Sequence, residues 1–477
     1  MHRQDQTDDR GAVSVKSYHE YKKSNSRLTN KIPKDWREAS LKRTVDGCIN
    51  GIWGSEPDGK YDVACIRIAD FDRAANSIST EKLTFRSVSY SERANRLIKR
   101  GDLLIEKSGG GDKTLVGAVA IFQHDFDAVT SNFVAKMRPR KGHSPEFLNY
   151  CFNALYSSNV NYCSIKQTTG IQNLDSEAYL QERIGVPSYP EQQKIAQFLD
   201  YETAKIDALI YEQKRLIELL REKRQAVISH AVTKGLNPDV PMKDSGVEWI
   251  GQIPEHWHTL PIKYVINSFE QGWSPQCFNE PVSDESELGV LKVGCVRHGR
   301  FIHEENKRLP PGLPFKNELS VRAGDLLISR ANTRELVGSV GVPSVNHENL
   351  MISDKIFRLR LNSQALPEFL CFFLTTGVAR QQIELAATGA SDSMLNIGQS
   401  TIKEMPFPCP PMEEQHQIVE KVVKANWKLL ELAGEAIKLV EKLKERRSAL
   451  ISAAVTGKID VRDWQPPQGS DTVEKKN

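Results

Sequence analysis

A chain of 477 residues with 64 basic and 61 acidic side chains, net charge +3, is too long for one ordinary core. Its total charge is too even to announce or exclude a nucleic-acid partner. No apolar run approaches the roughly 18 residues of a membrane span, and residues 1–27 are polar overall, so neither a transmembrane helix nor a secretory signal is expected and the cytoplasm is the default compartment.

In chain order, residues 1–20 read as a flexible leader and residues 21–189 as a first globular part that mixes short β-rich runs with helix. Within it Leu103–Ile105, Val116–Ile121 and Phe133–Met137 read as strands. Ser144 as N-cap with Pro145 behind it opens a helix whose apolar face is Phe147, Leu148, Cys151, Phe152 and Leu155. A long helix is expected over 190–234, ended by Lys234-Gly235-Leu236-Asn237-Pro238, and a Pro/Asp/Gly-rich connector covers 235–249. A second globular part follows over 250–411, with strands at Leu326–Ile328, Val337–Val342 and Ile356–Leu361 and a helix opened by Pro367. A second long helix is expected over 412–457, then a tail over 458–477.

Both long helices carry apolar residues at heptad spacing: Ile195, Leu199, Ile206, Leu209, Leu216, Leu220 and Val227 in the first, and Ile418, Val422, Leu429, Leu432, Leu439, Leu443 and Leu450 in the second. Two such helices from one chain should pair with each other through these side chains.

The two halves repeat. Arg224-Gln225-Ala226-Val227-Ile228-Ser229-His230-Ala231-Val232-Thr233 returns as Arg447-Ser448-Ala449-Leu450-Ile451-Ser452-Ala453-Ala454-Val455-Thr456, and Glu191-Gln192 returns as Glu414-Gln415. Gly101-Asp102-Leu103-Leu104-Ile105 answers Gly324-Asp325-Leu326-Leu327-Ile328, and Ile32-Pro33 with Trp36 answers Ile253-Pro254 with Trp257. A period this long means duplicated domains, not a solenoid of small repeats.

Motifs for catalysis are missing. The Gly109–Thr114 stretch fails the phosphate-loop spacing because Asp112 stands where glycine is needed, and neither an H-E-x-x-H nor a G-x-S-x-G pattern occurs. No run of the Asn-Pro-Pro-aromatic or Asp-Pro-Pro-aromatic type is present to hold an amino group for methyl transfer. Eight cysteines without a C-x-x-C pair or a histidine cluster argue against a zinc site and a disulfide framework, so no metal or cofactor is expected. The duplicated features are instead two polar loops in each globular part: 107–113 and 166–173 in the first, 329–334 and 387–393 in the second. Lysine and arginine neutralise phosphates or grip guanine, and glutamine and asparagine match adenine edges. Taken alone such loops are also ordinary solvated turns; if they bind nucleic acid, the contacts fall to Lys107, Lys113, Gln167, Gln172, Asn173, Arg330, Asn332, Arg334 and Ser391.

Glu-Gln-x-x-Ile entering a long helix, the Arg-x-Ala-Leu/Val-Ile-Ser-x-Ala-Val-Thr segment near its end, and Asp244-Ser245-Gly246-Val247-Glu248-Trp249-Ile250-Gly251-Gln252-Ile253-Pro254-Glu255-His256-Trp257 together resemble the DNA-specificity subunit of type I restriction-modification enzymes. The likeness runs from about residue 21 to 464. It departs at Leu28-Thr29-Asn30, which stands where the second copy has Trp249-Ile250-Gly251. The resemblance implies an α+β protein with internal duplication, in which two α/β target-recognition domains are separated by a long antiparallel two-helix coiled coil. It further implies a non-catalytic subunit that reads a bipartite target in double-stranded DNA, one half-site per domain, together with two methyltransferase subunits and two restriction (motor-nuclease) subunits. The alternatives are the specificity module of a different restriction-modification system and a coiled-coil adaptor without DNA readout. The resemblance assigns no base contact to a numbered residue, since such domains vary with the bases they read.

Overall fold

The computed structural model describes residues 16–110, 114–168, 170–389 and 394–466. It divides into two compact units: one of residues up to 213 and from 438 onward, the other of residues 214–437. The boundaries fall inside the two long helices, Tyr189–Lys234 and Met412–Val455, so each helix gives one half to each unit. The sequence placed the boundaries at the helix ends instead. The difference arises because each globular body buries one end of both helices.

In the first unit Ile195, Phe198 and Leu199 from the start of one long helix, and Ile451, Ala454 and Val455 from the end of the other, enter the same core as Trp36, Phe147 and Phe152. In the second, Ile228, Ala231 and Val232 join Ile418, Val422, Trp257 and Phe369. Ile195, Ile228, Ala231, Val232, Ile418, Ile451, Ala454 and Val455 belong to the repeated helix motifs, so the repeats mark anchoring points. Leader and tail are likewise more than flexible ends where they are described. Tyr18 is buried with its hydroxyl on Glu191, and Trp464 stands edge-on to Phe198.

The central sheets, six-stranded in the first unit and four-stranded in the second, match over four strands. In the first unit Leu103–Glu106 lies between Val134–Met137 and Val119–Ile121, with Ile49–Asn50 beyond. In the second Leu326–Ser329 lies between Ile356–Leu361 and Val340–Gly341, with Ile266–Gln271 beyond. Leu103 pairs with Met137 as Leu326 pairs with Leu359. The middle strands are buried along their length, which explains their unbroken apolar runs. The strands expected over Val116–Ile121 and Val337–Val342 are shorter, because Gly117 (φ +107°) and Gly338 (φ +69°) take left-handed turns just before them.

The Gly-Asp turn before each middle strand is explained by its contacts. Gly101 (φ +90°) and Gly324 (φ +80°) take the left-handed conformation that glycine tolerates. The aspartate after each is buried. Asp102 accepts the Lys99 N–H at 2.8 Å and a two-pronged contact from Arg138 at 2.7 and 2.6 Å. Asp325 accepts the Arg322 N–H at 2.9 Å and Arg360 at 2.8 Å, with Arg358 at 3.7 Å.

The Glu-Gln pair that opens each long helix works in the same way in both units. Trp36 donates its indole N–H to Glu191 at 3.0 Å, and Trp257 donates to Glu414 at 2.9 Å. Gln192 is buried; it accepts the Ser144 N–H at 2.9 Å and donates to Pro187 O at 3.0 Å. Gln415 does the same for Leu366 N–H and Pro410 O, at 2.8 and 2.9 Å. Each glutamine thus ties the start of a long helix to the start of the short helix, Pro145–Ser157 or Pro367–Leu374, that covers its sheet.

Along the long helices the buried stripe differs in part from the heptad reading. Ile195, Leu199, Ile206, Leu220, Ile418, Val422 and Leu443 are buried, and Val227, Leu429 and Leu450 are half-buried. Leu209, Leu216, Leu432 and Leu439 are 52, 40, 42 and 42% exposed. Their neighbours Ile210, Ile217 and Val440 are buried in their place, and Ala433 is half-buried. The 3.6-residue turn drifts against a strict seven-residue count and shifts the contact by one position. Within the first unit Ile206 and Ile210 of one helix cluster with Val440 and Leu443 of the other. Among the described residues no helix is long and apolar enough to cross a membrane.

Candidate nucleic-acid interface

The two polar loops of each unit, some 60 residues apart in sequence, come together in space. In the first unit Ser108–Gly109 joins the hairpin of Ile165–Thr168 and Ile171–Leu174 as a third strand. Ser108 faces Asn173, and its hydroxyl donates to the Asn173 amide oxygen at 2.6 Å. In the second unit Ala331–Asn332 pairs with Leu395–Asn396, and Ile397 N–H donates to Arg330 O at 3.0 Å.

The sheet sorts the candidate residues. Gln167 and Asn173 are exposed, and Lys107 is half-buried with its ammonium donating to Asn50 at 2.8 Å. Gln172 is different: only 4% exposed, it accepts the Val116 N–H at 3.0 Å through its side-chain oxygen. Strand alternation turns Gln172 inward and its neighbours outward, so it fastens the loop and offers no edge to a base. A Cβ on Gly110 (φ +67°) would lie 2.9 Å from that oxygen and 2.7 Å from Thr114 O, so this glycine lets the loop close over Gln172. Lys113 and Ser391 lie outside the described residues.

In the second unit Arg330 is half-buried with a long contact of 3.4 Å to Asp354 O. Asn332 is half-buried and caps the Thr333 N–H at 2.9 Å, and Arg334 is exposed. Neither surface was fully visible in sequence. Lys166, Phe133 and Ile171 are also exposed on the first, and Met394 flanks the second. Lys166 lay inside the expected loop and is ion-paired with Asp175 at 2.8 Å. Phe133 had no such signal: it reads as the start of a core strand, yet its carbonyl accepts Lys107 N–H at 2.8 Å while its ring is 54% exposed.

Beneath these surfaces the charges differ. Glu106, next to Lys107, is 1% exposed; burial pushes its carboxyl above the ordinary range while Arg73, bonded to it, pulls it back. The equivalent position is Ser329, whose hydroxyl donates to Leu336 O at 3.3 Å. Each surface carries lysine or arginine together with amide side chains, residue types whose chemistry suits phosphates and base edges. Among the described residues no group of histidine, cysteine and carboxylate side chains could hold a metal ion.

The family model for the type I restriction modification DNA specificity domain matches residues 60–219 and again 294–431. The chain is similar to the type I restriction enzyme EcoEI specificity subunit of Escherichia coli, 28% identical over 208 residues that cover 43% of this chain and 35% of that one. It is also similar to the EcoKI specificity subunit of Escherichia coli strain K12, 26% identical over 328 residues and 67% of both chains. The chain thus spans about a third of the first relative and two thirds of the second. A solved chain from work on complex assembly and conformational transition of the type I R-M system shares the fold, with TM-score 0.66 over 90% of this chain and 100% of that one at 16% identity. With two matched segments, each ending in a long helix and each carrying one paired-loop surface, the chain belongs to the type I restriction-modification DNA specificity family.

Proposed function

We propose that this chain is the non-catalytic specificity subunit of a type I restriction-modification complex, reading a bipartite target in double-stranded DNA with one half-site per globular body. The observation that carries the reading is the duplication itself. One scaffold is repeated down to its Gly-Asp turn and Glu-Gln clip, while the outward loops differ: Lys107, Gln167 and Asn173 in one copy, Arg330, Asn332 and Arg334 in the other. Two readers with different side chains suit two different half-sites.

The long helices act in this reading as an antiparallel two-helix coiled coil that sets the unread gap between half-sites. Clustering of Ile206 and Ile210 with Val440 and Leu443, and the contact of Arg224 with Asn426, support it. The complex works in the cytoplasm with two methyltransferase subunits and two restriction subunits, which bring the chemistry that this chain lacks.

Methylome sequencing of cells carrying the chain with its cognate methyltransferase tests the reading. A split motif is expected, and a single continuous motif refutes it. Four residues inserted after Leu220, about one helical turn or roughly 6 Å, should lengthen the gap by one or two base pairs. An active insertion variant with an unchanged gap refutes the ruler.

A further inference from the structure

A cleft of about 590 Å3 in the second unit lies against the long helix Tyr189–Lys234 and is lined by Arg221, Arg224, His298, Arg380, Glu335 and Glu384, among others. Its volume falls within the roughly 300 to 1,000 Å3 of small-ligand sites. Positive charge converges on it. Burial, and then Arg300, lower the proton affinity of Arg224; burial, and then Arg297, Arg224 and Arg380, lower that of His298. His298 holds a left-handed backbone, φ +50°, in the hairpin turn between Arg297 and Arg300.

The first unit shows how the same position looks when its charge is balanced. The counterpart of Arg224 is Arg447, which donates to the Asp207 carboxylate at 2.9 Å and to Ala74 O, on the equivalent hairpin, at 2.8 Å. That hairpin has Asp72 and Ser77 where the second has Arg297 and Arg300. In the second unit the Asp207 position is Leu430, and Arg224 donates to the neutral Asn426 amide oxygen. Among the described residues no carboxylate lies within ion-pair distance of Arg224, Arg297 or Arg300. Of the two lining carboxylates, Glu384 is ion-paired with Arg380 at 3.5 Å and Glu335 has no ion pair among the described residues, while the lining Arg221 pairs with Glu218 outside the cleft at 2.7 Å.

We propose that this cleft is an anion site for a phosphate-bearing ligand, gripped by Arg224 with Arg221, Arg380 and His298 around it, and present in the second unit only. Arginine's planar fork matches phosphate oxygens in pairs, and a dianion would offset the mutual repulsion of the cluster. The phosphate has two possible sources, a free polyphosphate or a DNA backbone, because the loop that carries Arg334 continues into the cleft at Glu335, Gly338 and Ser339.

Two variants test it in the full chain. Arg224→Gln removes the grip. Asn426→Asp supplies the carboxylate the first unit already has, and is expected to fold and to quench the site. Arg447→Gln, in the balanced unit, is the comparison. Inorganic pyrophosphate, against sodium chloride of equal ionic strength, should raise the melting temperature of the parent chain and of Arg447→Gln but of neither site variant. If pyrophosphate has no effect, yet both site variants weaken binding to duplexes of unrelated sequence several-fold and reduce the salt slope by about one, the phosphate is that of DNA. A response to pyrophosphate that survives both site variants, or no response by either probe, overturns the proposal.

Discussion

Glu191 and Glu414 each take a tryptophan N–H, and Gln192 and Gln415 each clip a helix start, yet Glu106 of the first unit has become Ser329 in the second. Asp102 serves a single arginine, Arg138, whereas Asp325 serves Arg360 and lies near Arg358, which is fully buried. The two units therefore keep the hydrogen bonds that hold body to helix and redistribute the charges under and beside the loops. Hydrogen bonds that close the backbone's own donors and acceptors leave little freedom to change. Charges that can be balanced by a different neighbour do not carry that constraint.

The largest effect should come from asking whether the two aspartates are equally important. Asp325→Ala leaves Arg358 leaning on Glu270 and the Ser320 and Glu318 carbonyls, and should cost about 3 to 5 kcal/mol in urea unfolding. Asp102→Ala should cost less, because the Arg138 side chain is 40% exposed and can turn to water. Equal losses would show that the aspartate acts mainly through the backbone turn, which is common to both.

Next come the helices. Ile210→Ala should destabilise by about 2 to 4 kcal/mol, since the side chain is buried against Val440 and Leu443. Leu209→Ala, one position away and 52% exposed, should stay within about 0.5 kcal/mol. Chemical denaturation of both variants decides which residue carries the stripe; the reverse order would restore the strict heptad.

A smaller and localised effect is expected at the loops. Arg330→Ala with Arg334→Ala should weaken or relax one half-site by about 1 to 3 kcal/mol per lost base contact and leave the other unchanged. Gln167→Ala with Asn173→Ala should do the converse, whereas Gln172→Ala should lower the stability of the first unit. Methylation assays on targets altered in one half at a time give the answer. Equal damage to both halves would make the arginines phosphate or structural contacts.

The smallest effect concerns pH. Burial raises the folded-state pKa of Glu106 above its ordinary value. Its contribution to stability is therefore fully present below the ordinary carboxylate pKa and lost as pH rises through the raised value. Glu106→Gln should flatten that part of the first unit's stability profile between mild acid and neutrality. Thermal melts across that range check it, and a slope unchanged by the substitution would place the titration elsewhere.

Sequence alone determined the duplication, the two long helices and the buried middle strands, because periodicity and repetition record burial and backbone pattern directly. It also carried the family, through motifs whose side chains fasten helix to body: Glu191, Gln192 and Ile195, and again Glu414, Gln415 and Ile418. Tertiary structure decided what depends on contacts between distant residues. Gln172 looks like a base reader in a list of polar residues, and only its place on an inward-facing strand position under Val116 makes it a fastener. The exchange of Leu209 for Ile210 follows from accumulated helical rotation, which a seven-residue count does not contain. The meeting of loops 60 residues apart follows from cross-strand pairing, such as Ser108 with Asn173, that no local pattern announces.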